Sequence, residues 1–128
     1  MIYLDSSVAL AHLLGEPRSP PDWLWAGPLV SSKLLEYEVW NRVHAYVLTA
    51  SHSDDARELL MRVVLMEMSE KILWRALEPF PISVRTLDAL HLATMEYIRS
   101  RAQPVELASY DDRLLAGAQS LGIPIAAL

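Results

Sequence analysis

A small α/β domain with a mainly parallel central sheet is the fold class that three features of this 128-residue chain predict. Short apolar runs of strand length, I-Y-L at the start, L-V at 29–30 and V-E-L-A-S-Y from 105, alternate with longer segments whose apolar residues recur near every 3.6 positions. Strands separated by helices imply β-α-β crossovers, which build parallel sheets, rather than hairpins. Acidic residues follow the first and last of these runs where a helix is about to begin, at the carboxyl edge where open α/β sheets place their ligands.

Ile2 to Leu4 reads as a buried strand, and Asp5 closes it before a helix from Ser6 to Leu14 that stops at Gly15, a C-cap residue. Glu16 to Pro21 holds two prolines and is a loop. Trp23 to Trp25 forms a turn of helix with its indoles against the core. Leu29 and Val30 make the second strand, and Ser31 and Ser32 cap a long helix from Lys33 to Thr49 that buries Leu34, Leu35, Val39, Val43 and Val47. Ser53 starts the next helix, with Asp54 and Asp55 in a first turn whose dipole favours them. Val63 to Met68 is a strand or the end of that helix. Ser69 opens a helix ended near Leu77 by Pro79 and Pro81. Thr86 caps another, with Asp88 in its first turn. Val105 to Tyr110 is a strand, Asp112 to Leu121 the last helix, Gly122 its cap, and Ile123 to Ala126 an edge strand where Pro124 is admissible.

One core, and therefore a single domain over residues 1–128, is what this length supports. The absence of cysteine excludes a disulfide framework, a thiolate zinc site and a thiol nucleophile. No apolar run reaches the 18 or so residues that a membrane span requires, and Asp5 interrupts any leader-like start, so a soluble cytoplasmic protein without membrane association is expected. Eleven Lys and Arg against 16 Asp and Glu give a charge of −5, which at first argues against a polyanionic substrate.

The acids carry the informative pattern. Asp5 and Asp111 both end strands, Asp88 lies at the amino end of a helix, and Glu38 falls within two turns of the start of another, so a parallel sheet brings all four to one edge. Carboxylates gathered there repel one another and raise their own pKa values unless a cation joins them. Hard oxygen donors of this kind suit Mg²⁺ or Mn²⁺. Helix capping by Asp5 with Ser6 or Ser7 is the structural alternative for the first of them. His12, His44 and His52 have no zinc-like spacing.

Four segments, in this order, resemble the PIN-domain family and in particular its VapC-type ribonuclease toxins: I-Y-L-D-S-S, S-S-K-L-L-E-Y-E-V-W-N-R, R-T-L-D-A-L-H-L-A-T and S-Y-D-D-R-L-L-A-G-A with L-G-I after it. The third is the most specific. The resemblance implies a PIN-like three-layer α/β/α domain and a metal site made of Asp5, Glu38, Asp88 and Asp111, which would be both catalytic and metal-binding. Glu36, two residues before Glu38, points elsewhere on its helix. Asp112 fits a solvated first-turn acid, while the family's Tyr-Asp pairing selects Asp111. Ser7 would orient a carboxylate or a metal water, with capping as its alternative role. His91, one turn from Asp88, is more often a packed structural histidine than a general base.

The activity so implied is Mg²⁺-dependent (Mn²⁺ as a substitute) hydrolysis of RNA to 5′-phosphate and 3′-hydroxyl ends by an endoribonuclease toxin. Divalent ions would offset most of the negative charge, and Lys33, Arg42, Arg85 and Arg113 flank the motifs as candidate phosphate contacts. A small antitoxin partner and a homodimer are expected with it. Trp23, Trp25, Trp40 and Trp74 are numerous for so short a chain and would serve the core or such an interface. The alternatives are a non-catalytic scaffold and an RNA-maturation nuclease of the same fold. A phosphohydrolase with a nucleophilic Asp-x-Asp is disfavoured because Ser7 takes the second position.

Overall fold

The computed structural model describes residues 1–128. Its sheet has four strands, β1 (Ile2–Leu4), β2 (Leu29–Ser32), β3 (Val63–Met66) and β4 (Glu106–Ala108), in the order β3-β2-β1-β4 with every pair parallel. The chain moves outward from β1 to β2 to β3, then returns to place β4 on the other side of β1. The switch in direction therefore lies between β1 and β4, the place where open α/β sheets open a crevice for ligands.

Successive strand residues face opposite sides, and two cores result. Leu4, Leu29, Val63 and Ala108 pack with Val8 and Ala9 of α1 (Ser6–Leu13), Leu35, Val39 and Val43 of α2 (Leu34–Ala45), and Ala56 and Leu59 of α3 (Thr49–Met61). Tyr3, Val30 and Leu107 pack with Leu92, Met95 and Ile98 of α5 (Thr86–Ser100) and Leu114 and Ala118 of α6 (Asp112–Ser120). The arrangement is the expected α/β/α, with α4 (Glu70–Leu77) outside α5. Gly117 lets α6 approach α5 closely, since a Cβ there would meet Leu92 at 2.8 Å; this contact fixes the spacing of the two helices whose amino ends carry Asp88 and Asp111.

Several boundaries differ from the expectations. The helix after β2 stops at Ala45 instead of reaching Thr49: the chain reverses at Tyr46–Leu48, where Val47 takes φ 57° and is 89% exposed instead of buried. A β-branched residue gives no sequence signal for that left-handed conformation. Consequently α3 begins at Thr49, and Asp54 and Asp55 lie in its middle, Asp54 paired with Arg57 at 3.2 Å. Ser32 accepts from the Leu34 amide as a cap would, but Ser31 donates to the Leu4 carbonyl at 2.7 Å and ties β2 to β1. Arg85, not Thr86, holds the N-cap position of α5. Val63 starts a true strand, and the expected edge strand at 123–126 is reduced to one parallel bridge between Ile125 and Leu107. The Trp23–Trp25 segment is a 3₁₀ turn (Asp22–Ala26) in which Leu24, not both indoles, is buried; Trp23 is half exposed. No helix is long and apolar enough to cross a membrane.

Candidate active site

At the carboxyl edge of the sheet, a cleft of about 1150 Å³ is lined by Asp5, Glu38, Asp88 and Asp111 together with Ser7, Arg42, Arg85 and Arg113. Lys33 is the one candidate left outside: it pairs with Glu36 at 3.0 Å on the flank of α2, as the spacing of three residues on a helix allows. Arg18, from the loop after α1, joins the rim and lies over the Tyr110 ring at 4.1 Å. Asp112 also reaches the rim.

Each acid is held differently. Asp5 leaves β1 at the switch point and caps α1, so its capping and site roles coincide. Its Oδ2 accepts from the Ser7 hydroxyl at 2.6 Å, the Ser109 hydroxyl at 2.8 Å and the Ser7 amide at 3.3 Å. All the protein donors fall on one oxygen, and the other carries no hydrogen bond. Since no buried polar atom lacks a partner, that second oxygen is open to the cleft. Ser7 also accepts from the Tyr110 amide and Ser109 from the Asp111 amide, both at 2.9 Å, so the two hydroxyls lock the β4 end to Asp5.

Glu38, in the second turn of α2, receives one donor per oxygen: the Ser6 hydroxyl at 3.1 Å and His91 Nε2 at 2.7 Å. Asp111 caps α6, accepting from the Arg113 and Leu114 amides through Oδ1. Asp88 is buried near the amino end of α5. Burial, and then the charges of Asp111 and Asp5, push its carboxyl above the usual aspartate range.

His91 is 2% exposed. Burial opposes its charged form, but the hydrogen bond and charge of Glu38, with Asp5 and Asp88 behind it, outweigh that and hold its pKa above the ordinary value. Ligand atoms of Asp5, Glu38 and His91 lie within 4.8 Å of one another, a compact group that Asp88 and Asp111 line from farther out. No Lys or Arg pairs with any of the four acids. Oxygen donors with no Lys or Arg partner, around an open carboxylate oxygen, fit a hard divalent cation.

Ser6, Ser109, Arg18 and Tyr110 are site residues that the sequence reading did not single out. Ser109 and Tyr110 stand within the S-Y-D-D segment, where the hydroxyl next to the strand end was a legible clue. Arg18 sits in an irregular loop and offers no periodic signal.

The PIN domain sequence profile matches residues 2–119. The chain is 33% identical to Ribonuclease VapC46 of Mycobacterium tuberculosis, the alignment covering 98% of this chain and 96% of the relative. It is 30% identical to Ribonuclease VapC47 of the same species over 95% and 93% of the two chains. A chain of a toxin-antitoxin complex from Klebsiella pneumoniae superposes with a TM-score of 0.69 over 94% of both chains at 21% identity, a likeness of fold.

Proposed function

The chain belongs to the PIN-domain family, and we propose that it is a metal-dependent endoribonuclease, the toxin of a toxin-antitoxin pair, hydrolysing RNA phosphodiester bonds to leave 5′-phosphate and 3′-hydroxyl ends. One observation carries the reading at the site: four carboxylates from four elements share a cleft at the sheet's switch point, none paired with a Lys or Arg and only Glu38 with a histidine, while arginines ring the mouth.

Asp5, Glu38, Asp88 and Asp111 would hold Mg²⁺, with Mn²⁺ as a substitute. When bound, such an ion supplies Lewis acidity to the attacking water and to the leaving 3′ oxygen. The chain's own groups do the rest. Ser7 and Ser109 turn one oxygen of Asp5 away from the cleft and leave the other facing it. Ser6 fixes the second oxygen of Glu38. Arg18, Arg42, Arg85 and Arg113 bind phosphates on either side of the scissile bond and orient the strand. Residues 1–128 act as one PIN domain in the cytoplasm.

Incubation of the purified protein with a single-stranded RNA across a Mg²⁺ titration tests this directly. Cleavage that rises with Mg²⁺, stops with a chelator and leaves ends open to 5′-phosphate-dependent ligation is expected; full activity in chelator refutes the mechanism. The arginines give a second test. Arg85→Ala and Arg18→Ala are expected to raise KM with little change in kcat and to lower the salt dependence of RNA binding by about 0.7 in log–log slope each, the amount one phosphate contact contributes on a single strand. An unchanged slope in both variants removes them from the RNA path.

A small antitoxin is the partner proposed with this activity. Leu73 and Leu77 of α4, 41% and 84% exposed, and Ile82 beyond it line an apolar groove beside the cleft suited to a partner's amphipathic segment, and Trp74 of the same helix is 65% exposed. Trp25 and Trp40 pack on the core instead. We include a homodimer in the proposal, to be read by light scattering.

A further inference from the structure

Of the four acids, Glu38 has the longest side chain and the most rotamer freedom to lose on being held in one place. It is also the one whose support runs into the protein interior. His91 Nε2 lies 2.7 Å from Glu38 Oε1, His91 Nδ1 lies 2.7 Å from the Tyr3 hydroxyl, and the Ser32 amide donates to that hydroxyl at 3.1 Å. Tyr3 is fully buried and its ring meets the imidazole edge-on, 83° between planes. The line crosses from β2 through β1 and α5 to α2, and every polar atom in it has a partner.

The chemistry of the partners fixes the roles. An ionised Glu38 carboxylate only accepts, so His91 must carry its proton on Nε2. The other nitrogen is engaged by Tyr3, which the same bond keeps in register whether Nδ1 accepts the phenolic proton or donates to the oxygen. Neither nitrogen has a lone pair free toward the cleft, although the imidazole stands within the compact Asp5, Glu38, His91 group.

We propose that His91, braced by Tyr3, is a positioning residue that holds Glu38 in its cleft-facing rotamer and is not itself a metal ligand. This rests on Glu38 being a site carboxylate. Outer partners that orient a ligating group typically govern its metal affinity by 10–100-fold.

The test compares three variants. Gln places an amide nitrogen the same number of bonds from the backbone as imidazole Nε2, so His91→Gln keeps the donor, whereas His91→Leu removes it; Tyr3→Phe removes the brace without touching His91 or Glu38, at the cost of the acceptor for the buried Ser32 amide. In metal-free crystals, Glu38 is expected to stay in place in His91→Gln and to leave its position in His91→Leu. Calorimetric titration with Mn²⁺ is expected to show affinity near the parent's for His91→Gln, about 10–100-fold weaker for His91→Leu, and intermediate for Tyr3→Phe. Glu38 remaining in place in His91→Leu overturns the proposal, as does equal loss of Mn²⁺ binding in the Gln and Leu variants, which would make the imidazole a ligand. Should His91→Leu fail to fold, the Gln and Phe variants decide by the same two readings. A parent that binds no Mn²⁺ refutes the metal-dependent mechanism, while the metal-free crystals still judge the positioning role by themselves.

Discussion

Asp5→Asn is expected to reduce RNA cleavage by about 10²-fold or more while leaving the fold intact, the scale that loss of metal activation implies. The geometry explains why the two effects separate. The three donors on Asp5 all meet Oδ2, and the amide oxygen of Asn can accept them in the same place, preserving the cap of α1 and the tie to β4. The amide nitrogen then faces the cleft, where an acceptor for a cation has been exchanged for a pair of N–H donors. Circular dichroism should therefore match the parent while Mn²⁺ affinity and cleavage fall together. Glu36→Gln is the matched control: it removes a charge from the same helix as Glu38, but from a half-exposed pair with Lys33 outside the cleft, and should cost little. Parental cleavage by Asp5→Asn, or an equal loss in Glu36→Gln, would remove Asp5 from the mechanism.

Much of this site is legible in the sequence because its acids stand at element junctions, and junctions are where a sequence speaks most clearly. Asp5 and Asp111 each follow an apolar run and precede a helical period, and each turns out to cap the helix it introduces. Parallel pairing of β1 and β4 then brings their ends together without any long-range signal being read. What the sequence concealed depends on side chains meeting across distance. His91 looks like one more member of a buried helical stripe, and only the fold reveals that Tyr3, 88 positions away in the chain, lies against it. Val47 misled in the opposite way: it continues the apolar period of α2, yet the chain reverses there and leaves it in solvent. Periodicity reports which face a helix would bury, not where the helix stops, and the stop at Tyr46–Leu48 uses neither glycine nor proline.

Asp88→Asn is expected to act on stability and activity with opposite signs. Burial and the neighbouring charges of Asp111 and Asp5 make the ionised form of Asp88 costly in the folded chain, so its carboxyl holds a proton more tightly folded than unfolded. Such a group stabilises the fold fully below its unfolded pKa, near the ordinary aspartate value of 3.8, and that contribution is lost as the pH rises through the higher folded value. At pH 7 in chelator the parent bears the whole cost, and Asn, of nearly the same volume and without charge, does not. Thermal melts should therefore place Asp88→Asn above the parent at pH 7 without metal, with the difference shrinking as the pH falls toward 4. Adding Mg²⁺ should raise the parent's melting temperature more than the variant's, because only the parent offers the cation this carboxylate. Cleavage at limiting Mg²⁺ should meanwhile fall by about 10²-fold. A variant that melts below the parent in chelator at pH 7 would show that Asp88 is held by attraction instead of strained by repulsion. One that cuts as well as the parent at limiting Mg²⁺ would show that the cation does not depend on it.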